Sequence, residues 1–292
     1  MHETAPARPQ ADGPGHGRTR TALTIAGSDS GGGAGIQADL KAFARCGVHG
    51  TSAITAITAQ NTVGVTAIHP LPPEVVLAQV RAVLADIGVD AVKVGMLATP
   101  EIIDAVAEAL DELPPGTPVV VDPVMVAESG ARLLAPEAQR ALVREIVPRA
   151  SVLTPNIPEA RVLVDADRVE GGEDADEQEA AELVVAVLAL GPRAVVLTGG
   201  HRARAVDLFL DSEGDRTVLE IEGERHSDGA AHGSGCTHSS ALAAQLALGL
   251  APLEAARLAR AIAGEAIRCG LRDVGAGPGP VDVLGLARMR RA

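Results

Sequence analysis

The chain has 292 residues, of which 47% are apolar, and 25 basic against 38 acidic side chains give a formal net charge of −13. A chain of this length buries about three quarters of the surface that its unfolded form exposes, so it needs no disulfides or metals to hold a core. The acidity, the absence of Trp and Tyr and the presence of only two Phe argue against nucleic acid as a partner. Such partners require basic patches and stacking aromatic side chains.

The cysteines Cys46, Cys236 and Cys269 lie far apart and match no disulfide framework or zinc motif. This usage is typical of a reducing compartment, so we expect a cytoplasmic protein. No apolar run reaches 18 residues, and we therefore expect no spanning helix and no membrane partner. Residues 1–20 are polar and lack the apolar stretch of a signal peptide, which predicts a disordered leader.

From residue 21 onward the chain alternates apolar strands with amphipathic helices. Strands are predicted at residues 21–26, 51–58, 91–96, 119–121, 151–153 and 194–197. Helices are predicted over 34–46, 73–87, 100–112, 136–146, 157–164, 182–190, 235–250 and 252–269. Residues 205–210 and 217–222 flank a polar turn and predict a hairpin.

Two other stretches interrupt this alternation. The acidic stretch over 165–179 is predicted to be a surface insertion, and the Gly/Pro-rich segment after Arg272 is predicted to be a loop. Neither marks a second domain. We expect one domain over 21–285, with a C-terminal tail over 286–292.

This order of elements predicts an α/β fold with a central, mostly parallel sheet and helices on both faces. In such sheets ligands bind beyond the carboxyl ends of the strands. The loops that follow the strands are therefore the places to search for a site.

The loop after the first strand reads GSDSGGGAG at residues 27–35, and its glycines let a backbone approach a ligand closely. The segment from Gly33 formally matches a dinucleotide fingerprint, but the acid expected about 20 residues later is missing. The phosphate-loop motif ending in Gly-Lys-Ser/Thr is absent too. A tight strand-to-helix turn is the alternative interpretation.

Acidic side chains follow two other strands. Asp122 ends the strand at 119–121 and could hold Mg²⁺ or cap a loop. Asn156 and Glu159 follow the strand at 151–153. They could form a capping box for the next helix, or reach the same metal and its phosphates.

The sequence AHGSGCT at residues 231–237 gives the strongest local signal, because it precedes a long apolar helix. Small residues at a helix N-terminus leave several backbone N–H groups free to bind an anion such as a transferring phosphoryl group. Cys236 lies in the first turn, where the helix dipole favours a thiolate. A buried, unreactive core thiol is the alternative.

Two classes of function fit these features. A phosphotransferase would use the anion site, the candidate base and both acidic loops, whereas a small-molecule sensor needs neither a base nor a metal site. A dehydrogenase is a third class, which the missing ribose acid disfavours.

Taken together, the motifs resemble those of the hydroxymethylpyrimidine/phosphomethylpyrimidine kinases. The matching segments are AGSDSGGGAGIQADLK at 26–41, TAQNT at 58–62, VGML at 94–97, DPVM at 122–125, TPNIPEA at 154–160 and HGSGCT at 232–237. The resemblance covers residues 21–285. It implies a ribokinase-like fold, a homodimer, ATP with Mg²⁺, and synthesis of the pyrimidine half of thiamine. A pyridoxal kinase built on nearly the same motifs is the alternative.

The resemblance also implies roles for individual residues. The residues expected to hold the pyrimidine are Gln60 and Asp39, and those expected to line its pocket are Gly27, Ala34, Met96 and Val124. Those expected on Mg²⁺ are Asp122 and Glu159. Those expected on the nucleotide are Asn156, Glu159, Thr198 and Gly200. The anion hole is expected at Gly233, Ser234, Gly235 and Cys236, with Cys236 as the base. Thr198 and Glu128 stand where the family often has Lys.

Overall fold

The computed structural model describes residues 18–126, 133–164, 176–199, 205–226 and 230–289. The strands are β1 (Thr21–Ala26), β2 (His49–Ile54), β3 (Ala56–Asn61), β4 (Gly64–Pro70), β5 (Ala91–Val94), β6 (Val119–Val121), β7 (Val152–Leu153), β8 (Ala194–Leu197), β9 (Val206–Asp211) and β10 (Leu219–Glu222). The α-helices are α1 (Gly35–Arg45), α2 (Pro73–Asp86), α3 (Pro100–Asp111), α4 (Pro136–Ala141), α5 (Ile157–Val164), α6 (Glu177–Leu188), α7 (Ser234–Ala247), α8 (Pro252–Arg268) and α9 (Leu286–Met289). Across these ranges, no helix is long and apolar enough to span a bilayer.

The main sheet has the order β10-β9-β8-β7-β6-β5-β1-β2. Pairing is parallel from β8 to β2, and β9 and β10 add an antiparallel edge. The predicted hairpin at the end of the sheet and the mostly parallel centre are therefore both confirmed.

Helices cover both faces of the sheet because successive strand residues point to opposite sides. In β1, Leu23 packs into the core beneath α2 and α3, whereas Ala22 packs into the core beneath α7 and α8. Both faces of the central strands are apolar, as expected for a parallel sheet between two helical layers.

The predicted single strand over 51–58 is wrong. The chain leaves the main sheet after β2, and β3 pairs with β4 in a separate two-stranded sheet. Thr55 marks the break, because its N–H donates to Ala26 O and its hydroxyl donates to Met96 O. Most side chains of β4 are exposed, so no continuous apolar run announces this strand.

The boundaries of other predicted segments also differ from the structure. Helix α6 begins at Glu177, capped by the Asp176 side chain, so the predicted insertion ends earlier than 179; residues 165–175 lie outside the described ranges. The predicted C-terminal tail contains α9, whose first amides donate to Asp282. Most of the predicted leader lies outside the described residues.

The last three residues of that predicted leader, 18–20, contact the folded unit through Asp90. The Asp90 carboxylate accepts hydrogen bonds from Arg18, Arg20 and the Thr21 N–H, which lies 2.8 Å from Oδ2. Burial would raise the pKa of Asp90, but these hydrogen bonds lower it below its ordinary value of 3.8. Their stabilising effect is therefore present above pH 3.8 and is lost as the pH falls through the lowered pKa.

We expect Asp90→Ala to lower the free energy of unfolding at pH 7 by about 1–3 kcal/mol, because a partly buried N–H loses its acceptor. Asp111→Ala is the matched control: Asp111 pairs with Arg149 but is 62% exposed, so its loss should cost less than about 1 kcal/mol. Urea unfolding measures both variants. Equal losses of unfolding free energy in the two variants would contradict a stabilising, partly buried hydrogen bond at Asp90.

Candidate active site

A cavity of about 230 Å³ opens beyond the carboxyl ends of the parallel strands, where the fold predicts a ligand. The predicted site residues that line it are Gly27, Ala34, Gln60, Met96, Asp122, Val124, Asn156, Glu159, Thr198, Gly233, Ser234, Gly235 and Cys236. Loops from distant parts of the chain thus meet in one place. Gly200 and Glu128 lie outside the described residues.

At one end of the cavity, Gln60 projects from β3 and is held against the first glycine-rich loop. The Ser30 hydroxyl donates to Gln60 O at 2.6 Å and accepts from Gln60 N at 2.8 Å. The Thr58 hydroxyl donates to Gln60 Oε1 at 3.2 Å. Gly27 lies beside them, and a Cβ there would displace the end of the Met96 side chain, whose Cε would be 2.4 Å away.

Asp39 does not line the cavity, so its predicted place on the substrate is wrong. It lies on the inner face of α1 and is fully buried. Its carboxylate accepts hydrogen bonds from the hydroxyls of Thr24 and Ser240, each at 2.6 Å, and from Lys93 at 3.1 Å. Asp39 therefore supports the floor of the site from below.

Lys93 is the partner that the sequence analysis missed. It lies in β5, is fully buried, and its Nζ is 3.6 Å from Asp122 Oδ2 as well as 3.1 Å from Asp39 Oδ1. Burial would lower the pKa of Lys93, but the charge of Asp39, with Cys236 and Asp122, raises it above its usual range. The sequence does place this lysine within the apolar strand AVKV, and a charged residue in such a strand indicates a buried partner of opposite charge.

Asp122 lies between Lys93 and helix α7. The Ser239 hydroxyl donates to its Oδ2 at 2.9 Å. Burial raises the pKa of Asp122 above its ordinary value, and the nearby Asp39 carboxylate adds to this, although Lys93 and Ser239 oppose it. The carboxylate is therefore held at the cavity surface in a region with excess negative charge.

Asn156 and Glu159 form the predicted capping box of α5. Asn156 N donates to Glu159 Oε2 at 2.9 Å, and Glu159 N donates to Asn156 Oδ1 at 2.8 Å. Both residues also line the cavity. Burial, followed by the charge of Asp122, raises the pKa of Glu159 to about 8.

The two glycine-rich loops are joined by Asp29 and His232, whose roles the sequence analysis missed. His232 Nε2 lies 2.9 Å from Asp29 Oδ2, and both side chains are buried. The Asp29 carboxylate also accepts from the amides of Gly31, Gly33 and Ala34. Burial would raise the pKa of Asp29, but these hydrogen bonds lower it. The pair therefore fixes the first loop against the loop that precedes α7.

Gly233 is the N-cap of α7 and has a φ of 82°, in the left-handed region that favours glycine. A Cβ at this position would lie 1.7 Å from the Gly33 carbonyl oxygen. The close approach of the two loops thus depends on the missing side chain. Ser234 N donates to Ala231 O at 2.9 Å, so within the described residues the amides of Gly235 and Cys236 are the ones left to face an anion, as amides at helix N-termini do.

Cys236 lines the cavity in the first turn of α7, but the predicted thiolate is wrong for the free protein. Burial raises the pKa of the Cys236 thiol to about 12, and the carboxylates of Asp122 and Asp39 add to this effect; Lys93 and a backbone hydrogen bond oppose it. Burial of the thiol, the largest of these effects, outweighs the helix dipole on which the prediction relied.

Comparison with known proteins places this geometry in context. The family model described as phosphomethylpyrimidine kinase matches residues 29–282. A hydroxymethylpyrimidine/phosphomethylpyrimidine kinase of Rhizobium meliloti is 47% identical over 266 residues, which are 90% of this chain and 96% of that protein. The crystal structure of phosphomethylpyrimidine kinase from Clostridium difficile 630 is 41% identical with a TM-score of 0.71, and the match covers 85% of this chain and 100% of that chain.

A pyridoxal kinase from Staphylococcus aureus, solved in complex with AMP-PCP and pyridoxal, is 33% identical with a TM-score of 0.81. That match covers 94% of this chain and 96% of the other. The fold and site therefore define a small-molecule kinase with a ribokinase-like fold, as predicted. The chain belongs to the phosphomethylpyrimidine kinase family.

We expect Gly233→Ala to destabilise the protein strongly, by more than about 1 kcal/mol, because the new methyl group meets a backbone oxygen and the φ is unfavourable. Gly235→Ala is the matched control, because a Cβ there meets nothing within 4 Å. Thermal unfolding compares the two variants. Equal melting temperatures would contradict the packing of the two loops.

We also expect iodoacetamide to modify Cys236 slowly at neutral pH, at a rate that keeps rising from pH 6.5 to 9.5, because the thiolate is scarce below the pKa of about 12. Mass spectrometry of the modified peptide measures the rate, and Cys236→Ala identifies labelling at other thiols. A rate that levels off below pH 9 would show a resting thiolate and overturn this assignment.

Proposed function

We propose that the protein transfers the γ-phosphoryl group of ATP to the hydroxymethyl oxygen of 4-amino-5-hydroxymethyl-2-methylpyrimidine. A second transfer, to the phosphate of that product, gives the diphosphate used for the pyrimidine half of thiamine. The observation that carries this proposal is that one cavity joins Gln60, the N-terminus of α7 and the acidic strand ends. An acceptor, a phosphoryl group and a nucleotide can therefore meet in line.

The acceptor binds at the Gln60 end. The amide of Gln60 offers a donor and an acceptor that suit a ring nitrogen beside an exocyclic amine. Gly27, Ala34, Met96 and Val124 complete this end of the cavity. Asp39 has no direct part in it.

The loop from Gly233 to Cys236 surrounds the transferring phosphoryl group, and the backbone amides of Gly235 and Cys236 stabilise the charge that this group gathers in the transition state. Asn156 and Thr198 lie toward the nucleotide. An isolated parallel bridge joins Asn156 and Thr198 just beyond the ends of β7 and β8.

The donor set fits Mg²⁺, which binds one or two carboxylates and completes its shell with phosphates and water. Asp122 is the better placed ligand, and Glu159, already bound to backbone amides, contributes charge nearby. Within the described residues, no cluster of three or more His, Cys, Asp or Glu side chains could hold a metal alone. When bound, Mg²⁺ neutralises phosphate charge.

Cys236 accepts the hydroxymethyl proton. Because the Asp122 carboxylate helps to raise the pKa of the Cys236 thiol, a cation on Asp122 favours the thiolate. Lys93 acts in the same direction from below. The thiol is thus protonated in the free protein, and in the loaded site it first releases its own proton to water and then accepts the hydroxymethyl proton.

The protein forms a homodimer in the cytoplasm. The β3–β4 sheet carries exposed apolar side chains, among them Ile57 at 44%, Val63 at 61% and Ile68 at 38% exposure. An isolated hairpin is marginally stable in water, so a second copy packed on it would stabilise the segment that bears Gln60. The three free cysteines support the compartment.

Pyridoxal phosphorylation is the second candidate, because the Staphylococcus aureus kinase of similar fold binds pyridoxal. A coupled assay of ADP release with hydroxymethylpyrimidine, its monophosphate and pyridoxal at matched concentrations tests both candidates. We expect higher kcat/KM for the two pyrimidines. Turnover of pyridoxal alone would overturn the proposed acceptor.

We expect Gln60→Leu to raise KM for the pyrimidine roughly 5- to 150-fold and to leave KM for ATP unchanged, because unmatched polar partners cost about 1–3 kcal/mol. Gln178→Leu, on the exposed face of α6, is the matched control. Steady-state kinetics with each substrate varied in turn supply both constants. An unchanged KM for the pyrimidine would remove Gln60 from the acceptor site.

A further inference from the structure

The glycine-rich loop of residues 271–280, which follows α8, contacts two of the segments that form the cavity. Leu271 N donates to Pro280 O at 2.9 Å, so the two ends of the loop lie side by side and form a neck. The tip of the loop, at Gly275 and Gly277, lies against Thr62 in the turn between β3 and β4. The loop therefore extends from its neck to the hairpin that carries Gln60.

The neck of loop 271–280 packs against the segment that leads into α7. Val281 N donates to His232 O at 3.1 Å, and an isolated parallel bridge joins His232 to Pro280. A Cβ at Gly33 would lie 3.1 Å from Pro280 Cβ, so the neck also lies beside the first glycine-rich loop. The neck is thus fixed to the two loops that meet at the phosphoryl end of the cavity.

The tip of loop 271–280 holds the turn after β3 by its backbone. Gly277 N donates to the Thr62 hydroxyl at 3.2 Å. A Cβ at Gly277 would lie 1.9 Å from the Thr62 carbonyl oxygen, and a Cβ at Gly275 would lie 2.0 Å from Thr62 Oγ1. Rotation of a side chain could not relieve the contact with the carbonyl oxygen. Any residue larger than glycine at position 277 would therefore displace the turn.

The hairpin that carries Gln60 depends on support of this kind. In the described part of the chain, β3 and β4 pair with each other and not with the main sheet, and a two-stranded sheet is marginally stable in water. The pairing register also shifts between Ala59 and Gln60. Such a shift changes the direction of side chains and interrupts the ladder. Ser30 bonds the backbone of Gln60 itself, and loop 271–280 bonds Thr62, two residues further on.

We propose that loop 271–280 positions Gln60 for the acceptor, and that Thr62 and Gly277 are the positioning residues. Neither residue belongs to the lining of the cavity, so both act through Gln60. Because the neck is fixed beside His232 and the tip beside Thr62, the loop sets the position of the acceptor end relative to the phosphoryl end. This assignment rests on the proposed function. Such alignment matters, because a misplacement of about 1 Å can cost about 100-fold in rate.

Steady-state kinetics of Gly277→Ala test the proposal. We expect KM for hydroxymethylpyrimidine to rise roughly 5- to 100-fold, with kcat and KM for ATP near the wild-type values, because only the acceptor residue is displaced. Gly64→Ala is the matched control in the same hairpin, since a Cβ there meets nothing within 4 Å. An equal rise of KM for ATP would show a general disturbance of the fold and would overturn the proposal.

Two further comparisons test whether the effect passes through Thr62 and Gln60. Thr62→Val removes the acceptor of Gly277 N and should raise KM for the pyrimidine, whereas Thr62→Ser keeps the hydroxyl and should restore it. Equal KM values in these two variants would overturn the role of Thr62, even where Gly277→Ala fails to fold. Gly277→Ala combined with Gln60→Leu should raise KM no further than Gln60→Leu alone. Multiplied effects would show that the loop acts on another group.

Hydrogen–deuterium exchange of the free protein tests the contact without any substrate. In Gly277→Ala we expect the amides of residues 56–70 to exchange roughly 5-fold faster, the effect of one lost hydrogen bond on local opening, while those of β5 and β6 are unchanged. Equal exchange in the hairpin of both proteins would overturn the proposal. A wild type that phosphorylates no pyrimidine but shows the expected change in exchange contradicts only the proposed acceptor.

Discussion

The buried ion pair between Lys93 and Asp39 is the interaction on which the site depends. It joins the inner face of α1 to the centre of the sheet, and Lys93 extends the contact to Asp122 at the end of β6. Burying charges is costly unless geometry and hydrogen bonds compensate. Here Thr24 and Ser240 satisfy Asp39, and Ser239 satisfies Asp122.

The network of Lys93, Asp39 and Asp122 influences the pKa values of the side chains that line the cavity, because it contains two carboxylates and one ammonium group. Asp39 and Asp122 surround one lysine, and Glu159 lies close enough for Asp122 to raise its pKa. Burial raises the pKa of the Cys236 thiol, and the carboxylates of Asp122 and Asp39 add to this effect. The carboxylates thus favour binding of a cation, and the amides at the start of α7 favour binding of a phosphate. Until these ligands bind, the Cys236 thiol stays protonated.

Local sequence patterns predicted most of the fold, because apolar periodicity and glycine-rich loops determine the elements that they occupy. They predicted the loops that meet at the cavity for the same reason: Asp122, Asn156 and Gly233 each follow a strand or begin a helix. The β3–β4 sheet escaped prediction, since most side chains of β4 are exposed and carry no apolar run.

The errors at the site come from burial and from charge pairing between distant parts of the chain, and neither is visible in a local motif. Asp39 looked like a ligand-binding residue until its partner Lys93, 54 residues away, was seen beneath it. Cys236 looked like a thiolate because the helix dipole is visible in the sequence and the carboxylates below it are not.

A double-mutant cycle on Asp39 and Lys93 tests most directly whether this ion pair organises the site. Urea unfolding would be measured for the wild type, Asp39→Asn, Lys93→Met and the double variant. We expect Lys93→Met alone to cost about 3–5 kcal/mol, because it leaves buried carboxylates unpaired. The double variant should cost less than the sum of the single changes by about 1–3 kcal/mol. Additivity within about 0.5 kcal/mol would show that the two residues act independently and would contradict the account.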